Sequence, residues 1–171
     1  AINLHDGDTL LGTIMTSEGD SVCLVTSDGQ SIRFAESDVR DMGRTAAGVR
    51  GIDLDKKDFV VGLGVVSPDM KNPTLMVMTD NGFGKRTDIG EYKIQKRGGS
   101  GIKTANVTDK TGAVVGAKIV TDDHSELIAI SSKSQVIRTE LESIPVLSRA
   151  TQGVRVMKLR EGDRLASLTL L

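Results

Sequence analysis

Arginine and lysine are the residues of this chain whose types and spacing could do chemistry, and that chemistry is capture of an anion. Arg33, Arg86 and Arg138 recur at spacings of 53 and 52 residues. Arg44, Arg97 and Arg149 recur at the same spacings, and so does a third row, Arg50, Lys103 and Arg155. Lys85, Lys93 and Lys96 add charge near the middle of the chain. Cations set at one height on successive structural units form a stripe, and a polyanion such as a phosphodiester backbone matches a stripe. The competing reading is that these side chains pair with nearby acids or lie over apolar surface. Glycines beside the second row let a backbone N–H approach a phosphate closely, but a sharp crossover between units needs them equally.

Other chemistries fail on residue type or spacing. Gly98, Gly99 and Gly101 follow neither dinucleotide- nor nucleoside-triphosphate-binding spacing, and Ser100 lacks the flanking glycines of a nucleophile elbow. His5 and His124 have no second ligand at metal spacing, and Asp53, Asp55 and Asp58 sit in a loop without the pattern of a calcium site. Glu36, Asp38 and Asp41 alternate with Arg40 and Arg44 and read as mixed solvated surface. No catalytic residue, metal or cofactor is expected. The single cysteine, Cys23, offers no disulfide and fits a reducing, cytoplasmic setting. Net charge is −1, so any affinity for nucleic acid has to come from how the 22 basic residues are distributed. Phe34, Phe59, Phe83 and Tyr92 are too few for a base-stacking platform. No apolar run approaches the roughly 20 residues of a membrane-spanning helix.

The elements that position the cations repeat with them. An arginine, three mostly small residues, a glycine, an aliphatic residue and a second cation recur as RTAAGVR (44–50), RGGSGIK (97–103) and RATQGVR (149–155). A fixed period of this size marks a repeat protein. Each repeat opens on a glycine-containing aliphatic run: 9–15, 59–66 and 113–120. A second run (22–26, 75–79, 127–131) and a third (30–34, 83–87, 135–139) flank a short turn and read as a hairpin. Asp28-Gly29 and Asn81-Gly82 suit that turn, whereas Lys133-Ser134 is a poorer former. The fourth run follows the arginine–glycine turn. This spacing predicts an all-β, propeller-like protein with three four-stranded blades at about 9–54, 59–107 and 113–159. Residues 1–4 and 164–171 are left as orphan strands, the glycine-containing run lies nearest the centre, and the basic runs lie toward the rim.

At TDNGFGKRTDIGEYKIQKRGGSGIKT (79–104), VRDMGRTAAGVRGI (39–52) and SRATQGVRVMKL (148–159) the chain resembles the C-terminal domain of gyrase A, from the DNA gyrase family. The resemblance implies a six-bladed β-pinwheel, a propeller variant whose blades exchange strands, with this chain corresponding to its last three blades. It implies a rim that binds and wraps double-stranded DNA without reading bases, a non-catalytic part of an ATP-dependent enzyme that introduces negative supercoils. The implied DNA-binding set is Arg33, Arg44, Arg50, Lys85, Arg86, Lys93, Lys96, Arg97, Lys103, Arg138, Arg149 and Arg155. Gln95, Lys96, Arg97, Gly98, Gly99, Ser100 and Gly101 match five of the seven positions of that family's QRRGGKG box, with Ser100 losing a cation. Implied partners are duplex DNA, the remainder of gyrase A and gyrase B, with no membrane. A homodimer completing six blades is the expected assembly. Two alternatives stay open: the equivalent domain of topoisomerase IV, and a protein-interaction scaffold whose arginines only staple the blades.

Overall fold

The computed structural model describes residues 2–171. In chain order its strands are β1 (Ser21–Thr26), β2 (Gln30–Ala35), β3 (Val60–Val66), β4 (Thr74–Thr79), β5 (Phe83–Asp88), β6 (Ile102–Lys103), β7 (Val114–Val120), β8 (Glu126–Ser131), β9 (Val136–Glu140), β10 (Val154–Arg155) and β11 (Leu165–Leu170). Three single-turn 3-10 helices, Glu36–Asp38, Ile89–Glu91 and Leu141–Ser143, follow β2, β5 and β9. The fold is the all-β class expected, with three antiparallel hairpins at its heart: β1–β2, β4–β5 and β8–β9. The third hairpin closes despite its turn residues. Ser134 takes a φ of 63°, and Asp163 accepts hydrogen bonds from the Lys133 N–H at 3.0 Å and the Ser131 hydroxyl at 2.5 Å.

Sheet membership differs from the expected blades. The sheets run β3-β1-β2-β6, β7-β4-β5-β10 and β11-β8-β9. Each hairpin is flanked by strands from the following repeat: on one side the aliphatic strand β3, β7 or β11, the first two containing glycine, and, in the first two sheets, the two-residue strand that closes the arginine–glycine turn on the other. The first sheet thus joins 21–35 with 60–66 and 102–103 rather than gathering 9–54. The physical reason is that each hairpin's free edges are satisfied by the next pass of the chain, so periodic sequence marks equivalent segments, not hydrogen-bonded ones. Residues 9–15 and 51–54 form no strand, and the third sheet has three strands rather than four. Residues 2–4 form no strand either, and Ala1 lies outside the described residues. The Asn3 N–H meets the Ala46 carbonyl at 3.1 Å, as Asp53 meets Gly99 at 2.9 Å and Asn106 meets Thr151 at 3.0 Å. Consecutive turns are thereby tied in series.

The glycine-containing strands β3 and β7 stand against each other where the sheets converge, and β7 stands beside β11. A Cβ on Gly62 would lie 2.7 Å from the Cβ of Ala117, and one on Gly116 would lie 2.6 Å from a methyl of Leu168. Residues 11–14 join these strands in lining a cavity of about 310 Å³. The hydrophobic core lies between sheets. β4 is buried on both faces: Leu75 and Val77 pack with Cys23, Val25 and Tyr92 toward the first sheet, while Met76 and Met78 pack with Leu127, Ala129 and Met157 toward the third. Period-2 alternation normally separates core from solvent. Here it separates two interfaces, and each buried side chain contributes about 1.5–3 kcal/mol.

The arginine–glycine turns depend on left-handed backbone at one position. Gly101 has a φ of 73° and Gly153 a φ of 77°. A Cβ on Gly101 would sit 2.3 Å from the Ser31 carbonyl oxygen, and one on Gly153 would sit 2.5 Å from that of Gly84. Gly153→Ala is therefore expected to destabilise the fold by at least about 1–3 kcal/mol, the cost of left-handed backbone alone. Gly43→Ala, with nothing within 4 Å, should change the denaturant midpoint little. Equal midpoints for the two variants would contradict this account of the turn.

Candidate nucleic-acid interface

The basic segments run along the outermost edges of the first two sheets. Residues 93–103 follow the edge of β2: the Gln95 N–H bonds the Arg33 carbonyl at 2.7 Å, then β6 sets Ile102 against Ser31 and Lys103 against Gln30. Residues 145–155 follow β5 in the same way, through Leu147 to Arg86 at 2.8 Å and β10 against Phe83 and Gly84. The Gly29 carbonyl then accepts the N–H groups of Thr104 and Ala105, and the Gly82 carbonyl accepts those of Val156 and Met157.

The first cation row faces inward in two of its three members. The Arg33 guanidinium is half-buried and donates to the Ser21 hydroxyl at 2.8 Å and to the carbonyls of Ile89 and Tyr92, each at 3.3 Å. Burial lowers its pKa, partly opposed by the Cys23 thiol, and burial in turn pushes that thiol up to about 12. Arg86 repeats the contact one sheet on, donating to the Ile144 carbonyl at 2.9 Å. Arg138, in the third sheet, instead pairs with Glu126 of its own sheet, and its side chain is 65% exposed.

The second row behaves alike. Arg97 donates to the Arg50 carbonyl and to that of Asp38 at 3.2 Å. Arg149 donates to the Lys103 carbonyl, the equivalent acceptor, at 3.4 Å and approaches Glu91 at 3.7 Å. Arg44 is exposed, with no protein partner among the described residues. In the box-like stretch Gly98 donates its N–H to the Gly51 carbonyl at 2.8 Å, while Lys96 and Ser100 face solvent.

The third row faces out. Arg50 is exposed and pairs with the equally exposed Asp53 at 2.9 Å, a contact worth little in water. Lys103 is exposed, its ammonium 3.0 Å from the Asn106 side chain. Arg155 lies over the Phe83 ring at 5.3 Å, with Lys110 at 5.4 Å from the same ring. Lys93 and Lys96 are exposed and have no protein partner among the described residues.

Lys85 departs most from the phosphate-binding expectation. It is 1% exposed, and its ammonium donates to the carbonyls of Ser148 and Arg149, pinning the third turn to the second sheet. Five of the twelve expected contacts, Arg33, Lys85, Arg86, Arg97 and Arg149, thus hold backbone carbonyls. The structure leaves Lys93, Lys96, Lys103 and Arg155 exposed along the outer edges of the first two sheets, and Arg50 exposed in the turn whose carbonyl Arg97 bonds. Arg40, read from the sequence as part of a mixed solvated surface, is exposed and lies 53 residues before Lys93 and so in its slot, a place in the set that the repeat register alone could have given it.

Known proteins bear on this edge. Residues 20–67, 73–121 and 125–171 match the family described as DNA gyrase C-terminal domain, beta-propeller. The chain belongs to that family. The three matched segments each begin at a hairpin and end on the strand, β3, β7 or β11, that pairs with that hairpin. The gyrase A protein of Mycolicibacterium smegmatis is 46% identical over 170 residues, covering 98% of this chain and 20% of that protein. That of Mycobacterium tuberculosis is 44% identical with the same coverage. The chain thus spans about a fifth of the length of the curated relatives it matches. A solved DNA gyrase A C-terminal domain superposes with a TM-score of 0.87 at 28% identity, covering 99% of this chain and 57% of that one. The C-terminal domain of DNA topoisomerase IV gives 0.91 at 24% identity and shares the fold. No helix among the described residues is long and apolar enough to cross a membrane.

Lys85 makes a pH prediction. Burial lowers its pKa from 10.5 to about 8, with Glu91 opposing and Arg149 reinforcing the shift. Between those values the unfolded chain binds more protons than the folded protein, so stability rises with pH across the window. Thermal melting from pH 7.5 to 10.5 should show this rise as a higher Tm, and Lys85→Met should flatten it. An unchanged slope in the variant would contradict the assignment.

Proposed function

We propose that the chain binds duplex DNA along its outer edge and bends it, as a non-catalytic part of a gyrase A protein that works with the remainder of gyrase A and with gyrase B. The observation that carries this reading is the sorting of the cations: Arg44, Arg50, Lys93, Lys96, Lys103 and Arg155 are exposed in equivalent segments of successive units, the last four along the outer sheet edges. Arg40 joins them. These groups contact phosphate, which positions a duplex without reading its bases. The gyrase A relatives support gyrase over topoisomerase IV. The scaffold reading keeps a share, since Arg33, Arg86, Arg97 and Arg149 bond carbonyls across repeats. Pairing of two copies to complete six blades belongs to the same proposal, and light scattering tests it through a doubled mass.

Fluorescence anisotropy of a duplex of about 40 base pairs at several salt concentrations tests the binding. If about six phosphates are neutralised, the log–log salt slope is near −5. Replacing Lys93, Lys96 and Lys103 by glutamine should flatten that slope by about 3 without changing the melting temperature. A parent slope flatter than about −2, or no effect of the triple variant, would overturn the outer-edge assignment.

A further inference from the structure

The outer edge holds more than charge. Val39, Met42, Val49, Ile94, Val146 and Val154 are exposed aliphatic side chains, and all six lie in the three segments that hold the outward cations. Ile94 is 58% and Val146 50% exposed, and they occupy the same slot 52 residues apart. Neither belongs to the hydrophobic clusters between the sheets. Ile94 sits directly after Lys93 and two residues before Lys96, Val49 precedes Arg50, and Val154 precedes Arg155. Single exposed aliphatics need no explanation. Other exposed apolar side chains, Leu10, Met15 and Val136 among them, lie away from these segments, but a pair that recurs in one slot of two basic sheet edges is a different observation, because contact with phosphate alone has no use for it.

Backbone hydrogen bonds fix where the most exposed pair stands. Gln95, next to Ile94, donates its N–H to Arg33, and Leu147, next to Val146, donates to Arg86. Both side chains therefore project from rigid sheet edges rather than from a loose loop. A rigid β-branched side chain on an edge that also carries cations matches the minor groove of a duplex, whose walls are phosphate and whose floor is stacked base edges. Apolar wedges of this kind part a base step and kink the duplex by about 20–90°. Concentrating a bend at such steps replaces part of the elastic cost of smooth curvature, on the order of several kcal/mol for a site of this size.

We propose that Ile94 and Val146 are wedges that enter the minor groove between base steps of a duplex held by the exposed cations of the same two edges, Lys93, Lys96 and Lys103 on one and Arg155 on the other. The inference rests on the DNA-binding reading above and adds to it how the DNA is bent. An anionic membrane surface also takes cations with aliphatics, but it takes them from the broad apolar face of an amphipathic helix. Here the aliphatics are isolated points on sheet edges.

The test uses a duplex of about 40 base pairs with 2-aminopurine at flexible pyrimidine–purine steps and a dye pair at its ends. Binding, base unstacking and end-to-end approach are then read together for the parent chain and for an Ile94→Ser, Val146→Ser variant. The variant is expected to keep the parent's salt slope and melting temperature while losing at least half of the 2-aminopurine increase and of the end-to-end approach. Should the double variant melt lower, Ile94→Ala alone takes its place in the comparison. Equal unstacking and bending in parent and variant would overturn the wedge while leaving DNA binding intact. An apolar pair that serves only in binding anionic vesicles would likewise overturn the wedge alone, whereas a parent that fails to bind duplex at low salt would overturn both readings.

Discussion

Where the chain leaves one sheet to edge another, its backbone carbonyls face a neighbouring segment instead of water, and each needs a donor. The carbonyls of Tyr92, Ile144, Arg50 and Lys103 are such groups. Arg33, Arg86, Arg97 and Arg149 supply the donors, each guanidinium reaching across to a segment 46 to 59 residues away. Lys85 does the same for Ser148 and Arg149. Hydrogen bonds from a charged donor are worth about 1.5–3 kcal/mol each, several times an exposed ion pair. The shape of the array depends on them, because strand exchange alone fixes which strands pair but leaves these crossings unsatisfied.

The same constraint sorts the cations by position rather than by residue type. A row member with a neighbouring segment's carbonyl in reach is bound to it and half-buried. A member without one, such as Arg44 or Arg138, is exposed. The third row and the lysines at 93 and 96 face out because the short strands β6 and β10 satisfy their own backbone groups through β2 and β5. A protein with a net charge of −1 can in this way show a basic edge. Of the acids, Asp58 and Asp163 are engaged in the turns that support the hairpins.

The period was legible from the arginine–glycine turns, and with it the all-β class, the hairpins and the place of the glycine-containing strands. Which strands share a sheet was not, because a repeat shows that two segments are equivalent without showing which of them touch. Strands of two residues such as β6 and β10 are too short to mark themselves by alternation. At the site, the outward row Arg50, Lys103 and Arg155 could be read from spacing. The inward turn of Arg33 and Arg97 could not, since a staple and a phosphate contact use the same residue. Lys85 did leave a signal. The aligned positions in the other two hairpins are Ile32 and Ile137, both inward-facing residues, so a lysine there belongs to the interior. Ile94 left none, for burial of an isolated isoleucine is the ordinary expectation.

The central claim is that cations on the outer edge meet DNA while those bound to carbonyls do not. Lysine acylation followed by mass spectrometry, with and without duplex DNA, reads this residue by residue. The account predicts that Lys93, Lys96 and Lys103 react readily and become protected by the duplex, whereas Lys85 stays unreactive in both states. Protection of Lys71 and Lys118, which line a cleft near the glycine-containing strands, with none at 93, 96 and 103, would contradict it.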